Sequence, residues 1–223
     1  MASSQRSKPA HGYFLPMLIV SALFFIFGFV TWLNGILIPY LKIACELTNF
    51  QALFVAFAFY IAYTLTAMPS ALMLKKTGLK NGMMLGLFVM AVGTILFIPA
   101  AMTRTYWVFL TGLFIMGTGL SILQTASNPY VTIIGPTETA ARRISILGIC
   151  NKAAGAIAPL ILAYYIFNDG DAFIKSLEGL SAIDREMKLN ELAVRVINPY
   201  IVMTGVLILM GIGVRLSPLP EIE

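Results

Sequence analysis

Gln124 and Asn128 stand four residues apart in an otherwise apolar stretch, so on a helix they share one face. An amide side chain carries both donors and an acceptor. Such a pair suits a neutral, hydroxyl-rich ligand, which needs both. The same pair can instead bond a neighbouring helix, a contact worth about 0.6 kcal/mol on average inside a bilayer. Asn34, Asn151 and Lys152 are stranded among apolar residues in the same way. An ammonium at the centre of a membrane helix costs about 2.5–3.5 kcal/mol to insert. Lys152 is therefore expected to face a wet cavity or a carboxylate from elsewhere in the protein, or else to lie near the mouth of a path. Gly148 and Ser145 share its face. Trp32, beside Thr31, Asn34 and Gly35, offers a ring that can stack on the apolar face of a pyranose, pack against a helix or meet lipid. Tyr60, with Tyr63 and Thr64, makes a second polar and aromatic edge, open to the same readings. No metal-ligand cluster, nucleophile–base pair or phosphate loop is visible, so neither an enzyme nor a cofactor is expected. His11, in a polar N-terminal tail, is read as solvated.

The elements that must hold these residues are membrane helices. Hydrophobic residues make up 59% of the chain and charged residues 11%, with a mean hydropathy of +0.87. Soluble domains carry about 25% charged residues. All 10 Asp and Glu fall outside the long apolar segments. A bilayer core needs about 20 apolar residues per helix, and six segments qualify, near 14–41, 50–74, 82–101, 106–134, 143–167 and 197–216. A polar group inside such a segment is costly unless it faces protein or water. The basic residues cluster at span ends, which reads as membrane topology and not as a nucleic-acid surface. One set of ends carries Arg6, Lys8, Lys75, Lys76, Lys80, Arg142, Arg143 and Arg215, whereas the opposite short loops carry Lys42 and Arg104. The first set is expected on the cytoplasmic side, with both termini.

The stretch 168–196 is then external, and the pattern from Ala182 to Val196 predicts a short amphipathic surface helix or a solvated loop. No cleavable signal peptide is evident, because the first span is too long for a signal core. Cys45 and Cys150 are read as free, packed thiols. Glycines recur along the spans, among them Gly82, Gly86, Gly112, Gly117, Gly119, Gly148 and Gly155, and permit close helix approach. There is also an internal echo. Asn34 to Tyr40 contains Pro39, and Gln124 to Tyr130 contains Pro129. Two proline-interrupted polar helices three spans apart suit an inverted three-plus-three repeat.

The run Leu33-Asn34-Gly35-Ile36-Leu37-Ile38-Pro39 resembles the first span of the fucose and glucose/galactose branch of the major facilitator superfamily. Gln124-Thr125-Ala126-Ser127-Asn128-Pro129-Tyr130, followed by Gly135-Pro136, resembles its fourth span. Arg143-Ile144-Ser145-Ile146 with Asn151 and Gly155 resembles its fifth, and Thr48-Asn49-Phe50-Gln51 the entry to its second. Lys75-Lys76-Thr77-Gly78-Leu79-Lys80 is similar to the family's basic loop between spans two and three, with Lys75 in place of the usual Asp.

The resemblance implies an all-α membrane protein in which 14–216 form one six-helix facilitator half, built of two inverted three-helix repeats. Residues 1–13 are then a cytoplasmic tail and 217–223 the start of a cytoplasmic linker to a C-terminal six-helix half. It implies a secondary transporter of the cytoplasmic (inner) membrane, moving a neutral hexose or amino-hexose by alternating access. The candidate sugar contacts are Trp32, Asn34, Tyr60, Gln124, Asn128 and Asn151. Gly35, Gly148 and Lys152 are the pathway or coupling positions. Lys75, Lys76, Gly78, Lys80 and Arg143 form the gating loop. Proton-coupled members carry an acid where this chain has Gly35, and fucose-type members also carry one at Gln124. They place a sugar-contacting Gln at Gly148. Coupling to a cation such as sodium, coupling through the other half, or uniport all stay open. The competing reading is a non-transporting sensor or assembly partner derived from a transporter half.

Overall fold

The computed structural model describes residues 13–166, 176 and 180–221. Most of the N-terminal tail and much of the stretch 168–196 lie outside them, as do Arg6, Lys8 and His11. Among the described residues, α-helices follow in order: α1 Phe14–Ala44, α2 Asn49–Thr77, α3 Leu79–Thr103, α4 Tyr106–Ile133, α5 Ala140–Ile166, α6 Ala182–Arg195 and α7 Ile197–Leu216. Six helices are long and apolar enough to cross a membrane, as the segment lengths predict. The helices outrun several of the apolar runs. α2 and α3 meet with one residue between them, because Gly78 reverses the chain at φ 76°. That left-handed backbone favours glycine. α2 starts where Thr48 and Gln51 form a reciprocal capping box.

Pairing follows from where side chains are small. Gly86 and Gly93 on α3 face Gly119 and Gly112 on α4, and the two glycines on each helix are seven positions apart. A β-carbon added at any of the four would lie 2.6–3.0 Å from the opposing chain's atoms. The numbering runs in opposite senses, so α3 and α4 are antiparallel. α7 covers the other side of α3, where Phe97 stacks on Tyr200 at 4.2 Å and the Thr94 and Thr204 hydroxyls meet at 2.7 Å. α2 lies parallel to α4: Tyr106 Oη donates to the Gln51 carbonyl at 2.9 Å, and Gly117 faces Phe59. α1 lies parallel to α5, with Gly28 against Asn151 and Trp32 against Gly155. Exchanging α1 with α4 and α2 with α5 turns one parallel pair into the other. This is the relation that two three-helix repeats of inverted topology require.

Two ends close differently. At the basic end, Lys80 Nζ donates to the Ser217 carbonyl at 2.9 Å and Tyr130 Oη to the Pro220 carbonyl at 3.2 Å, with Leu219 buried beneath. At the other end the amphipathic α6 buries Leu189, Leu192 and Ala193 and keeps its charges outward. Its cap is Ser181, whose hydroxyl accepts from the Asp184 N–H. Glu46 pairs with Arg185 of α6 at 2.8 Å and with Arg104 at 3.8 Å. Arg104 also donates to the Ala44 carbonyl and to Asn190. One carboxylate thus joins α6 to the ends of α1 and α3. Burial pushes the neighbouring Cys45 thiol up to about 11 against the pull of Arg104, so it stays a packed thiol.

Candidate functional site

The polar residues of α1 and α5 meet because the two helices run parallel and in register. Phe24 and Gly28 lie at the level of Asn151, and Trp32 one turn further at the level of Gly155. Asn151 Nδ2 donates to the Phe24 carbonyl at 3.4 Å, a long bond that leaves the side-chain oxygen available. Trp32 is 45% exposed, and its pyrrole atoms rest directly on Gly155. The Lys152 ammonium sits 5.6 Å from the centre of the same ring. The Lys152 side chain is itself exposed. No carboxylate pairs with it among the described residues.

Asn34 is only 5% exposed, and neither of its amide atoms finds a hydrogen-bond partner among the described residues. A buried polar group left unmade costs about 1–3 kcal/mol. Immediately after it, Gly35 faces open space: a β-carbon there would meet nothing within 4 Å. Gly148, one turn before Lys152, is equally open. The two glycines that the resemblance marks as pathway positions therefore border open space.

On α4, Gln124 is half-buried and Asn128 exposed, one turn apart on one face, and neither side chain bonds a described residue. Helix-to-helix bonding is thus not what these two amides do within the described body. The hydroxyl of Ser121, also buried without a described partner, precedes them at i−3 and i−7. The sequence reading missed it, although the spacing was there to see. Tyr60 on α2 is exposed and meets Phe59 edge-on at 5.4 Å. Nothing brings it to the Trp32–Lys152 cluster.

Three prolines add acceptors. Pro39, Pro129 and Pro159 lie inside α1, α4 and α5, and the helices continue past them. At Pro39 and Pro129 the sequence predicts interrupted helices. Each proline lacks an N–H, so the carbonyl four residues earlier loses its helical donor. Those carbonyls belong to Gly35, Thr125 and Gly155, each at or beside a candidate site residue.

The remaining candidates sit at the basic end. Lys75 and Lys76 occupy the last turn of α2, where cations oppose the helix dipole. With Lys80 and Glu221 they line a hollow of about 390 Å³. Arg143 is 3% exposed. Its guanidinium donates to the carbonyls of Val131, Thr132 and Pro136 and to Thr139 Oγ1, at 2.7–3.1 Å. It therefore closes the C-terminal end of α4, a local duty that its place in the motif did not disclose. Gly135 makes room for it, since a β-carbon there would come within 2.8 Å of Nη1.

Comparison with known proteins agrees with this architecture. The Major Facilitator Superfamily sequence profile matches residues 20–221. The chain is 41% identical over 162 residues to a glucose/galactose transporter of Brucella abortus, covering 73% of this chain and 39% of that protein. It is 34% identical over 220 residues to the L-fucose-proton symporter of Escherichia coli, covering 96% of this chain and 49% of that one. A crystal structure of a superfamily transporter in the outward conformation superposes with a TM-score of 0.82 at 32% identity, over 95% of this chain and 51% of that one. The chain spans about half the length, or less, of these curated relatives. Its fold is that of one six-helix facilitator half, and the chain belongs to the Major Facilitator Superfamily.

Proposed function

We propose that this chain forms one half of a secondary sugar transporter. Together with a second six-helix half it moves a neutral hexose or amino-hexose across the cytoplasmic membrane by alternating access. Glucose, galactose, fucose and N-acetylglucosamine are the candidate cargoes. The basic ends of the spans support placing both termini in the cytoplasm. Sugar transport is what the related proteins' names state. The observation that carries the reading here is the amide group on Asn34. It is buried and has no described partner, and its neighbours along α1 are a glycine that faces open space, Gly35, and a half-exposed indole, Trp32. Amides with spare donors and acceptors beside an aromatic ring match a pyranose, which presents hydroxyls at its rim and C–H groups on its face. Gln124 and Asn128 supply the same chemistry from α4. Asn151 contributes its free oxygen, and Tyr60 a hydroxyl at the periphery.

The intact protein in proteoliposomes tests this. Gln124→Ala is expected to weaken sugar binding about 5- to 150-fold, since one amide can make two hydroxyl contacts, each worth about 0.5–1.5 kcal/mol net. Unchanged affinity would move Gln124 out of the site. Sugar binding without flux in the unaltered protein would favour the sensor reading.

Coupling is a separate question. All the acidic residues lie outside the spans, so this half supplies no carboxylate at mid-membrane. The open wall at Gly35 leaves room for one. Gly35→Asp is expected to fold normally and to make uptake rise as the external medium is acidified, because the added carboxyl can then carry a proton inward. A pH profile that stays flat would place Gly35 off the coupling path.

A further inference from the structure

We propose that Lys152 and Gly155 of α5 are positioning residues for Trp32, which they hold as a fixed aromatic platform facing the path. The inference rests on the sugar-site reading only for what the platform is used for. Its geometric part stands by itself.

The two residues act on one ring from one helix. They are three apart, so both project towards α1. Gly155 is the seat. A β-carbon there would overlap Nε1 of the indole and lie 2.6 Å from Cδ1 and 2.9 Å from Cε2. Any larger residue must push the ring off α5. Lys152 is the clamp, its ammonium 5.6 Å from the ring centre and inside the range for cation–π attraction. The attraction works in both directions. It offsets part of the cost of an ammonium at mid-span, and it resists rotation of a ring that is otherwise 45% exposed. Without the clamp, the open side of Trp32 would leave it several rotamers.

The glycines that flank the pair along the two helices are open. Gly35 lies one turn beyond Trp32 on α1, about 4.5 Å along the axis, and Gly148 one turn before Lys152 on α5, about 6 Å along it. A β-carbon at either would meet nothing within 4 Å. Because α1 and α5 are parallel, the open positions fall on opposite sides of the indole–ammonium pair along the helix axes. The pair therefore stands between two unfilled stretches. A lysine in this place acts on cargo through the tryptophan, and a neutral sugar needs no charge neutralised there.

Fluorescence of Trp32 reads the arrangement directly. This chain has 2 tryptophans, so Trp107→Phe, with any tryptophan of the second half also changed to Phe, leaves Trp32 as the sole reporter. In that background and without sugar, Lys152→Met is expected to shift Trp32 emission and to raise its quenching by acrylamide about twofold, as the clamp is lost. Lys152→Arg should restore both, since a guanidinium also binds an aromatic face. Gly155→Ala should shift emission further, and Lys152→Met keeps the test alive if that variant folds poorly. Emission and quenching unchanged in Lys152→Met overturn the proposal. In uptake assays with glucose, Lys152→Met is then expected to raise the half-saturating concentration roughly 3- to 10-fold while maximal flux stays within about twofold. Altered fluorescence with unaltered glucose affinity supports the platform and sinks the sugar reading of Trp32 alone.

Discussion

Valine in place of Gly119 is expected to leave almost no folded protein in the membrane. A β-carbon at 119 would lie 2.6 Å from the Met90 nitrogen and 2.7 Å from the Gly86 carbonyl oxygen. Both are backbone atoms of α3, and no rotamer change moves them. The helices would have to separate along their whole seam, because Gly86, Gly93, Gly112 and Gly119 act as one zipper. Membrane helices lack a hydrophobic drive towards each other, so this close approach is itself the attraction. Loss of the seam also unseats Phe97, which touches both Gly112 and Tyr200. The expected penalty exceeds about 3 kcal/mol, at the upper end for overpacking. Size-exclusion yield and thermal melting in detergent read it. Gly148→Ala is the control, since its new methyl would meet nothing, and it should match the unaltered protein. Equal yields of the two variants would show that α3 and α4 sit further apart than described.

The contrast between those glycines marks what the sequence could disclose. Their spacing reads as helix contact, and hydrocarbon thickness fixes the number of spans, so the six-helix body was legible. The amphipathic pattern after Ser181 was legible too, and α6 forms there. Partnerships across the chain were not. Gly155 and Gly148 look alike in sequence, yet one is filled by an indole 123 positions away and the other faces open space. Lys152 was readable as a costly charge, but its aromatic partner depends on the parallel register of α1 and α5. Arg143 stands at the start of the fifth-span motif, and the resemblance assigns it to the gating loop. Its four hydrogen bonds appear only once the turn at Gly135-Pro136 folds it back on α4. Pro39 and Pro129 mark interrupted helices in the sequence. They leave carbonyls without helical donors inside continuous helices, because a helix packed on its neighbours tolerates one missing bond.

Asn34→Leu is expected to make the protein more stable and close to inactive at once. In a packed interior, an asparagine is retained when its amide is bonded. This one is 5% exposed, and both amide atoms lack a described partner. It therefore carries a desolvation cost with no compensating bond in the six-helix body. Leucine has similar size and no polar group to satisfy, so the melting point should rise, by the equivalent of about 1–3 kcal/mol. Such a cost persists in a protein when something outside the folded half relieves it. The sugar of the proposed function is such a partner, and Gly35, the next residue, faces open space. Sugar uptake should fall at least about tenfold, the loss expected when a site built for hydrogen bonding is stripped of its amide. The two measurements separate the explanations. A lower melting point would mean that Asn34 braces a neighbour and that its spare capacity is already used. A higher melting point with normal uptake would leave the amide without a role in the path. Only the opposed pair, stability gained and transport lost, fits an amide kept unsatisfied for its cargo.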